Sequence, residues 1–175
     1  MTKITAAITG VGGYVPDFVL SNSLLEKMVD TTDEWITTRT GIKERRLLKE
    51  EGKGASFLGI KAVEDLFRKT GTNPADIDLV IFASVTPDMP VAISGAYLAT
   101  QIGAVNAFAI DLQAACSSFL YGMSMAARYI ESGRYKKVLL VGADKMSSIV
   151  DYTDRATCII FGDGAGAVLF EPNYE

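Results

Sequence analysis

Apolar runs rich in β-branched residues alternate with segments of helical periodicity along this 175-residue chain, and this alternation constrains the fold most strongly. The strand-like runs are 78–85, 107–113, 137–143 and 158–170. The first three are nearly continuous in apolar character, which is typical of strands covered on both faces. Helical spacing marks 56–71 and 117–133, and each segment ends in a glycine stop signal. We therefore predict one α/β domain with a largely parallel sheet.

Two shorter segments near the N-terminus, 21–29 and 31–41, are interpreted as capped helices. Short polar side chains accept hydrogen bonds from the free N–H groups of a first helical turn. The candidate caps are Ser21 or Ser23 for the first helix and Asp33 for the second.

Composition and charge argue against several classes of protein. The net charge of -4 comes from mixed acidic and basic residues rather than a block, so we expect no nucleic-acid partner. No stretch reaches the roughly 18 to 20 uninterrupted apolar residues of a membrane span, and the N-terminus lacks the layout of a signal peptide. Two widely separated cysteines make neither a disulfide framework nor a zinc site. We therefore predict a cytoplasmic protein without a membrane partner or a bound metal.

A local concentration of basic residues interrupts this mixed pattern. The segment 37–46 contains Arg39, Lys43, Arg45 and Arg46. Such a cluster keeps a local site for a phosphorylated cofactor open.

Cys116 lies between an apolar run and the first turn of a predicted helix. In α/β sheets, reactive groups sit where strands end and loops lead into helices, and a helix N-terminus favours the thiolate. A nucleophile and a small buried hydrophobe are both consistent with this position, whereas Cys158, inside an apolar run, is expected to be structural. The chain contains no histidine. Either the helix terminus alone activates Cys116, or the rest of the site lies outside these residues.

The stretch DLQAACSSFLYGM around Cys116 resembles the active-site segment of the β-ketoacyl-acyl-carrier-protein synthase III family, a branch of the thiolase-like condensing enzymes. Four further stretches agree with that family in order and spacing: GVGGYVP, VDTTDEWITTRTGIKER, DYTDRATCIIFGDGAGA and VLLVGAD. The resemblance covers essentially the whole chain. It implies a thiolase-like α/β fold, with a mostly parallel mixed sheet and helices packed on it. Residues 1–175 would form the N-terminal one of two similar halves, and the C-terminal half would be absent.

The resemblance implies an acyltransferase that initiates fatty acid synthesis. Such an enzyme joins an acyl-CoA, for example acetyl-CoA, to malonyl-acyl-carrier protein and releases carbon dioxide. Cys116 matches the nucleophile that becomes acylated, and its own backbone N–H would be an oxyanion-hole donor. A histidine and an asparagine of the second half complete the family's site, so we do not expect this chain alone to perform the full condensation. A homodimer without a cofactor is implied.

The resemblance also assigns residues to coenzyme A. Trp35 and Arg39 match positions that meet its adenine nucleotide end, and Arg155 matches a residue that stacks on the other side. Thr31 and Thr40 are weaker correspondences on the same segment. From the residues alone, the favoured interpretation of Trp35 is a core aromatic of an amphipathic helix, and the resemblance reverses this preference.

Met146 and Phe161 match positions that line the family's acyl pocket, although either could be an ordinary core residue. Val91 stands in a loop where the family often has an aromatic residue that reaches the dimer partner's acyl pocket, so we expect a widened or reshaped pocket. Ser118 replaces a usual glycine and is expected to disturb the turn after Cys116 slightly. The glycines of FGDGAGA are interpreted as structural rather than as a phosphate cradle.

Two alternatives stay open at this point. One is a specialised condensing enzyme of the same superfamily, from secondary metabolism or related to 3-hydroxy-3-methylglutaryl-CoA synthase. The other is a non-catalytic half-domain that acts in assembly, which the lack of histidine favours. A lone half would expose the apolar face that normally packs on the other half, so we expect dimers or higher species.

Overall fold

The computed structural model describes residues 3–174, in which seven strands and five helices are built around a five-stranded sheet. The strands are β1 (Ile4–Tyr14), β2 (Phe18–Ser21), β3 (Glu44–Leu47), β4 (Leu79–Ala83), β5 (Phe108–Leu112), β6 (Val138–Lys145) and β7 (Asp163–Tyr174). The helices are α1 (Asn22–Leu25), α2 (Asp33–Thr40), α3 (Ala55–Thr70), α4 (Ser94–Gln101) and α5 (Ser118–Glu131). Three short 3₁₀ turns occupy Pro74–Asp76, Ala115–Ser117 and Met146–Ser148.

The main sheet is evenly mixed rather than mostly parallel. Its strand order is β1-β7-β6-β4-β5. Strand β4 pairs in parallel with both β5 and β6, whereas β7 runs antiparallel to β6 and to β1. The connections explain the difference, because α4 and α5 provide the crossovers that parallel neighbours need, and the segment between β6 and β7 contains no crossover helix. The predicted mixed α/β sheet is confirmed, and the predicted excess of parallel pairs is wrong.

Helices cover the two central strands on both faces, as their continuous apolar character predicts. On one face, α3 and α4 pack against alternate residues such as Phe82, Leu139 and Val141. On the other face, α5 packs against the intervening residues, including Ile81 and Leu140. Strands β4 and β6 therefore form the centre of the core, and their carboxyl ends open at one edge of the sheet.

The two long helices lie close to their predicted positions. Helix α3 ends at Gly71, whose φ of 68° allows its N–H to donate to the carbonyl of Phe67. Strand β1 was not predicted, because its glycines interrupt the apolar pattern that marks a strand. Gly12 allows α3 to cross it closely, since a Cβ at this position would lie 2.2 Å from the carbonyl oxygen of Ala62 and 2.6 Å from the amide nitrogen of Leu66.

A smaller layer is formed by the antiparallel pair β2–β3, by α1 and α2, which connect these two strands, and by the loop before β7. The predicted strand 158–170 begins only at Asp163, and the preceding residues form turns. Cys158 and Ile159 are buried in this layer against residues such as Ile36. Their apolar character therefore reflects packing rather than strand pairing, and Cys158 is structural as expected.

The capping predictions for the two short helices have different outcomes. Ser21 caps α1, because its hydroxyl accepts from the N–H of Leu24 at 3.3 Å. Helix α2 is capped by Thr32 instead of Asp33: the Thr32 hydroxyl accepts from the N–H of Trp35 at 3.1 Å, and Asp33 is the first helical residue. Within residues 3–174, no helix is both long and apolar enough to cross a membrane.

Candidate active site

Cys116 lies in the 3₁₀ turn that joins β5 to α5, with its side chain exposed and its thiol outside any disulfide. Ala115, the residue before Cys116, has a φ of 48°. It is the only non-glycine residue with a positive φ among the described residues. A residue with a Cβ in this conformation costs of order 1–3 kcal/mol and persists where its surroundings enforce it. The chain therefore maintains a strained turn at the position where the sequence predicts a nucleophile.

Two hydrogen bonds at Ala114 hold this turn. The N–H of Ser117 donates to the Ala114 carbonyl at 3.1 Å. The N–H of Ala114 donates to the Ser118 hydroxyl at 2.6 Å, and Ser118 is 3% exposed. Instead of disturbing the turn, as the sequence led us to expect, the Ser118 hydroxyl closes it.

A cavity of about 390 Å³ opens beside Cys116 at the carboxyl ends of β4 and β6. Four glycines contribute to its lining: Gly142 of β6, Gly162 just before β7, and Gly164 and Gly166 of β7. Because these residues carry no side chain, the cavity stays open next to the sulfur, and its volume suits a small-molecule group. Met146 also lines it. The glycines of β7 thus shape the Cys116 cavity.

Two carboxylates fix the segments around this cavity. Asp144, at the end of β6, accepts from the Ser84 hydroxyl at 3.0 Å and from the N–H of Val85 at 2.8 Å. Asp163 is 5% exposed and accepts from the N–H and the hydroxyl of Ser147 at 2.8 and 2.6 Å. Since both carboxylates are occupied by these bonds, we interpret them as anchors rather than as general bases. Sequence analysis did not single out either residue.

The two other predicted acyl-pocket residues lie outside the Cys116 cavity. Val91 is 94% exposed and lines a neighbouring cavity of about 250 Å³, which shares Ser84 with the first. Phe161 is 38% exposed and contributes to the lining of neither cavity, although the next residue, Gly162, lines the first. Of the three predicted residues, the structure places only Met146 beside Cys116.

Trp35, Arg39 and Arg155 form one cluster. The guanidinium carbon of Arg39 lies 4.4 Å from the centre of the Trp35 ring, and that of Arg155 lies 5.6 Å from it. Arg155 also donates to the carbonyl of Asp30 at 2.9 Å. Trp35 is half-buried against the small layer, so it is both a packing residue and a partly open aromatic face. An indole with two adjacent cations suits a planar base that carries phosphates.

The two threonines of the same segment differ in their bonding. Thr40 is engaged within its helix, where its hydroxyl donates to the carbonyl of Ile36 at 2.8 Å and accepts from the N–H of Ile42 at 3.0 Å. The Thr31 hydroxyl is buried and finds no hydrogen-bond partner among the described residues. Thr31 therefore has the greater capacity for a further partner.

The basic segment 37–46 does not form one phosphate site. Arg39 faces Trp35, and Arg46 pairs with Glu44 at 3.2 Å. Arg45 points the other way and is buried, because neighbouring residues of a strand project from opposite faces. The structure thus places Arg39 at Trp35 and Arg45 inside the small layer, so the segment does not act as one basic site.

Arg45 instead connects the small layer internally. Its Nε donates to the carbonyl of Ile159 at 2.7 Å, with a second bond from Nη2, and its Nη1 donates to Asn22 Oδ1 at 2.5 Å. Asn22 in turn donates to the Asp33 carboxylate at 2.7 Å. Burial lowers the pKa of Arg45, chiefly through desolvation. This chain of bonds, which sequence analysis missed, links the loop of Arg155 to the helix of Trp35.

The loop that carries Arg155 is held by its own aspartates. The N–H and hydroxyl of Thr153 donate to Asp151, and the Thr157 hydroxyl and the Ala156 N–H donate to Asp154. These hydrogen bonds lower the pKa of both carboxyl groups. The thiol at the end of this loop, Cys158, has its pKa raised by burial first and by Asp154 second. A buried thiol with a raised pKa is a poor nucleophile, which leaves Cys116 as the candidate.

The described residues contain no cluster of three or more histidine, cysteine, aspartate or glutamate side chains that could hold a metal ion. The mixed sheet, its covering helices and the exposed cysteine at a strand-to-helix turn define a thiolase-like half-domain.

Comparison with known proteins makes this class more specific. The profile of the 3-oxoacyl-[acyl-carrier-protein (ACP)] synthase III family matches residues 110–175. The β-ketoacyl-[acyl-carrier-protein] synthase III 2 of Bacteroides thetaiotaomicron is 61% identical over all 175 residues, which correspond to 52% of its own length. The chain is therefore similar to the β-ketoacyl-[acyl-carrier-protein] synthases III, as its sequence predicted, and it spans about half the length of the curated relatives it matches.

Solved structures of such synthases have the same fold as this chain. The crystal structure of 3-oxoacyl-[acyl-carrier-protein] synthase III from Aquifex aeolicus superimposes with a TM-score of 0.90 at 44% identity, covering 98% of this chain and 54% of that one. The priming β-ketosynthase of the R1128 polyketide pathway gives a TM-score of 0.92 at 37% identity, covering 96% of this chain and 50% of that one. Both structures share the fold of this chain over about half of their own length.

Proposed function

We propose that this chain is the acyl-accepting, N-terminal half of a β-ketoacyl-acyl-carrier-protein synthase III that initiates fatty acid synthesis. The observation that carries the proposal is the exposed Cys116 at a strained, hydrogen-bonded turn beside an open cavity. The relatives named above support it. The proposal assigns residues 1–175 to the half that carries the nucleophile.

In the first step, the Cys116 sulfur attacks the thioester carbonyl carbon of an acyl-CoA. A bond from that carbon to Cys116 forms, the bond to the coenzyme A sulfur breaks, and coenzyme A leaves with the proton that Cys116 has released. Helix α5 begins two residues after Cys116, so the positive end of its dipole lies at the proposed site of attack. The Cys116 N–H is the proposed donor to the developing oxyanion.

The cluster of Trp35, Arg39 and Arg155 is the proposed site for the adenine nucleotide end of coenzyme A. Its chemistry supports this assignment, because the indole offers a stacking face and the guanidinium groups can stack on a base or pair with phosphate. Thr31 and Thr40 are the weaker members of this proposed site. The Thr31 hydroxyl is buried and would reach a ligand only after a local movement, and the Thr40 hydroxyl is already bonded within α2.

The acyl chain is proposed to occupy the cavity beside Cys116. Met146 borders that cavity directly. Val91 borders the adjoining one, and Phe161 precedes a residue of the lining. We therefore assign the acyl-length limit to Met146 first.

The second step would use malonyl-acyl-carrier protein. Its carbon dioxide leaves, the carbanion that remains attacks the acyl carbon, and the bond from that carbon to Cys116 breaks to regenerate the thiolate. The enolate of this step needs hydrogen-bond donors, which the resemblance assigns to a histidine and an asparagine of a second half. Since this chain contains no histidine, the proposal limits its own residues to acyl transfer.

Direct mass measurement tests the first step. The protein is incubated with acetyl-CoA, and its intact mass and cysteine-containing peptides are recorded for Cys116→Ala and for the matched control Cys158→Ala. We expect one acetyl group on Cys116 in the control variant and none in Cys116→Ala. Unchanged acetylation of Cys116→Ala, or none in the unaltered protein, would refute the proposal. The second result would also favour the non-catalytic alternative.

We also propose a homodimer. The surface supports association, because large apolar side chains of α5 and of the free edge strand β5 are exposed: Leu120 at 67%, Tyr121 at 56% and Phe108 at 43%. Analytical ultracentrifugation of the protein is expected to give a dimer or a larger species. A monomer at high concentration would contradict this part of the proposal and leave acyl transfer untouched.

A further inference from the structure

We infer that Ser118 is a positioning residue for Cys116: its hydroxyl holds the turn that sets the direction of the sulfur and of the Cys116 N–H. The inference rests on the proposed function only in taking Cys116 as the nucleophile.

The hydrogen bond of the Ser118 hydroxyl spans Cys116. Ser118 is the first residue of α5, so its backbone is fixed by the helix, and its hydroxyl oxygen accepts from the N–H of Ala114 at 2.6 Å. Ala114 lies two residues before Cys116, and Ser118 lies two residues after it. The bond therefore closes a loop around Cys116 and ties the chain leaving β5 to the start of a rigid helix.

The loop closed by this bond contains a strained residue. Ala115 is held at a φ of 48°, which alanine adopts only under constraint. The hydrogen bonds at Ala114 are the constraints that the structure shows on this side of the turn: one to the Ser118 hydroxyl and one from the N–H of Ser117. Without the hydroxyl, one of these two constraints is lost, and Ala115 can relax toward negative φ more easily. Such a relaxation rotates the next residue, Cys116.

Ser118 is buried at the edge of the Cys116 cavity. Ser118 is 3% exposed, so water does not compete for its hydrogen bond. It also lines the cavity into which Cys116 opens. A change at Ser118 is therefore expected to alter the reactivity of the thiol in addition to the stability of the fold.

The test uses Ser118→Ala in the Cys158→Ala background, so that Cys116 is the single thiol. The matched control is Ser56→Ala, because Ser56 is also 3% exposed, and its hydrogen bond to Asp88 uses the backbone N–H. The rate of Cys116 alkylation by iodoacetamide is measured against pH, and the exchange rate of the Ala114 amide is measured by NMR. A hydrogen bond worth about 1 kcal/mol corresponds to about a fivefold change.

We expect Ser118→Ala to speed exchange of the Ala114 amide about fivefold and to change the alkylation profile of Cys116. Ser118→Thr, which keeps the oxygen, is expected to restore the profile. Ser56→Ala keeps its backbone hydrogen bond to Asp88 and is expected to leave the alkylation profile and the Ala114 exchange rate unchanged. If Ser118→Ala and Ser56→Ala give the same profile, the inference is overturned while acetylation of Cys116 still stands.

Exchange in the unaltered protein keeps the inference testable even if Ser118→Ala does not fold. The Ala114 amide must then be protected from exchange, and an amide that exchanges like an unbonded one overturns the inference. Failure of the proposed function has a different signature. In that case, Cys116 takes up no acetyl group from acetyl-CoA, although the Ala114 amide is protected.

Discussion

Replacing Arg45 with methionine should destabilise the protein and loosen the loop that carries Arg155. The guanidinium is 4% exposed and makes three hydrogen bonds, two to the carbonyl of Ile159 and one to Asn22. Hydrogen bonds to charged groups contribute about 1.5–3 kcal/mol each, and a buried acceptor left without a donor adds its own desolvation penalty. Methionine keeps the apolar length of the side chain and removes only the donors.

The expected loss is smaller than the sum of three such bonds. Two of the bonds share one carbonyl oxygen. Burial of the charged guanidinium also has a desolvation cost, which lowers the pKa of Arg45, and methionine does not carry this cost. We therefore expect Arg45→Met to reduce the free energy of unfolding by about 2–4 kcal/mol. Arg46→Met is the control, because the Arg46–Glu44 pair is 38% and 51% exposed and such pairs contribute about 0–1 kcal/mol.

The assay is urea unfolding followed by circular dichroism and by the fluorescence of Trp35, the single tryptophan. Trp35 is close to the hydrogen bonds of Arg45, because Asn22, which accepts from Arg45, donates to Asp33, the first residue of the Trp35 helix α2. Arg45→Met is expected to shift the native emission to longer wavelength as well as to lower the midpoint. Equal midpoints for Arg45→Met and Arg46→Met would refute the reasoning.

Three further predictions concern packing, pH and ligand binding. Gly12→Ala should cost about 1–3 kcal/mol because its Cβ would lie 2.2 Å from a backbone oxygen, whereas Gly13→Ala, with the closest atom at 3.7 Å, should be nearly neutral; thermal unfolding of both variants checks this. The pKa of Asp154 is lowered, so its contribution is present at neutral pH and is lost as pH falls through the folded pKa, below about pH 4. An acid titration of Trp35 fluorescence should show this change, and Asp154→Asn should reduce it. Arg155→Ala should raise the Kd for coenzyme A, read from Trp35 quenching, about two- to fivefold, and an unchanged Kd would contradict the proposed site.

The pattern of apolar residues predicted the helices and strands with an uninterrupted apolar face. It failed where close packing or burial in a turn determines the residue type. Helix α3 was predicted within a few residues because its buried positions recur at helical spacing. Strands β4 and β6 were predicted because their apolar runs are nearly continuous, as in strands covered on both faces. Strand β1 was missed because contact with α3 requires Gly12. Residues 158–162 were predicted as strand because burial in a turn and burial in a sheet select the same apolar residues.

The candidate site was predicted more completely than its supports. Cys116 and Trp35 belong to recognisable stretches, and the structure places them as expected at a strand-to-helix turn and beside two arginines. The positive φ of Ala115 and the orientation of Arg45 carry no sequence signal, because an alanine before a cysteine and an arginine in a basic segment are both ordinary. The orientation of Arg45, for example, depends on Ile159, which is distant in the sequence.

The segment between β6 and β7 takes part in both proposed subsites. It begins at Met146 beside the Cys116 cavity, passes through Arg155 over Trp35, and ends at Asp163, which is tied back to Ser147 near its start. Arg45 holds the middle of this segment, and Asp163 holds its ends together. Because the two anchors are separate, Arg45→Met should weaken coenzyme A binding while leaving the alkylation rate of Cys116 nearly unchanged. If both measurements change together, the segment moves as one body, and the two subsites are coupled.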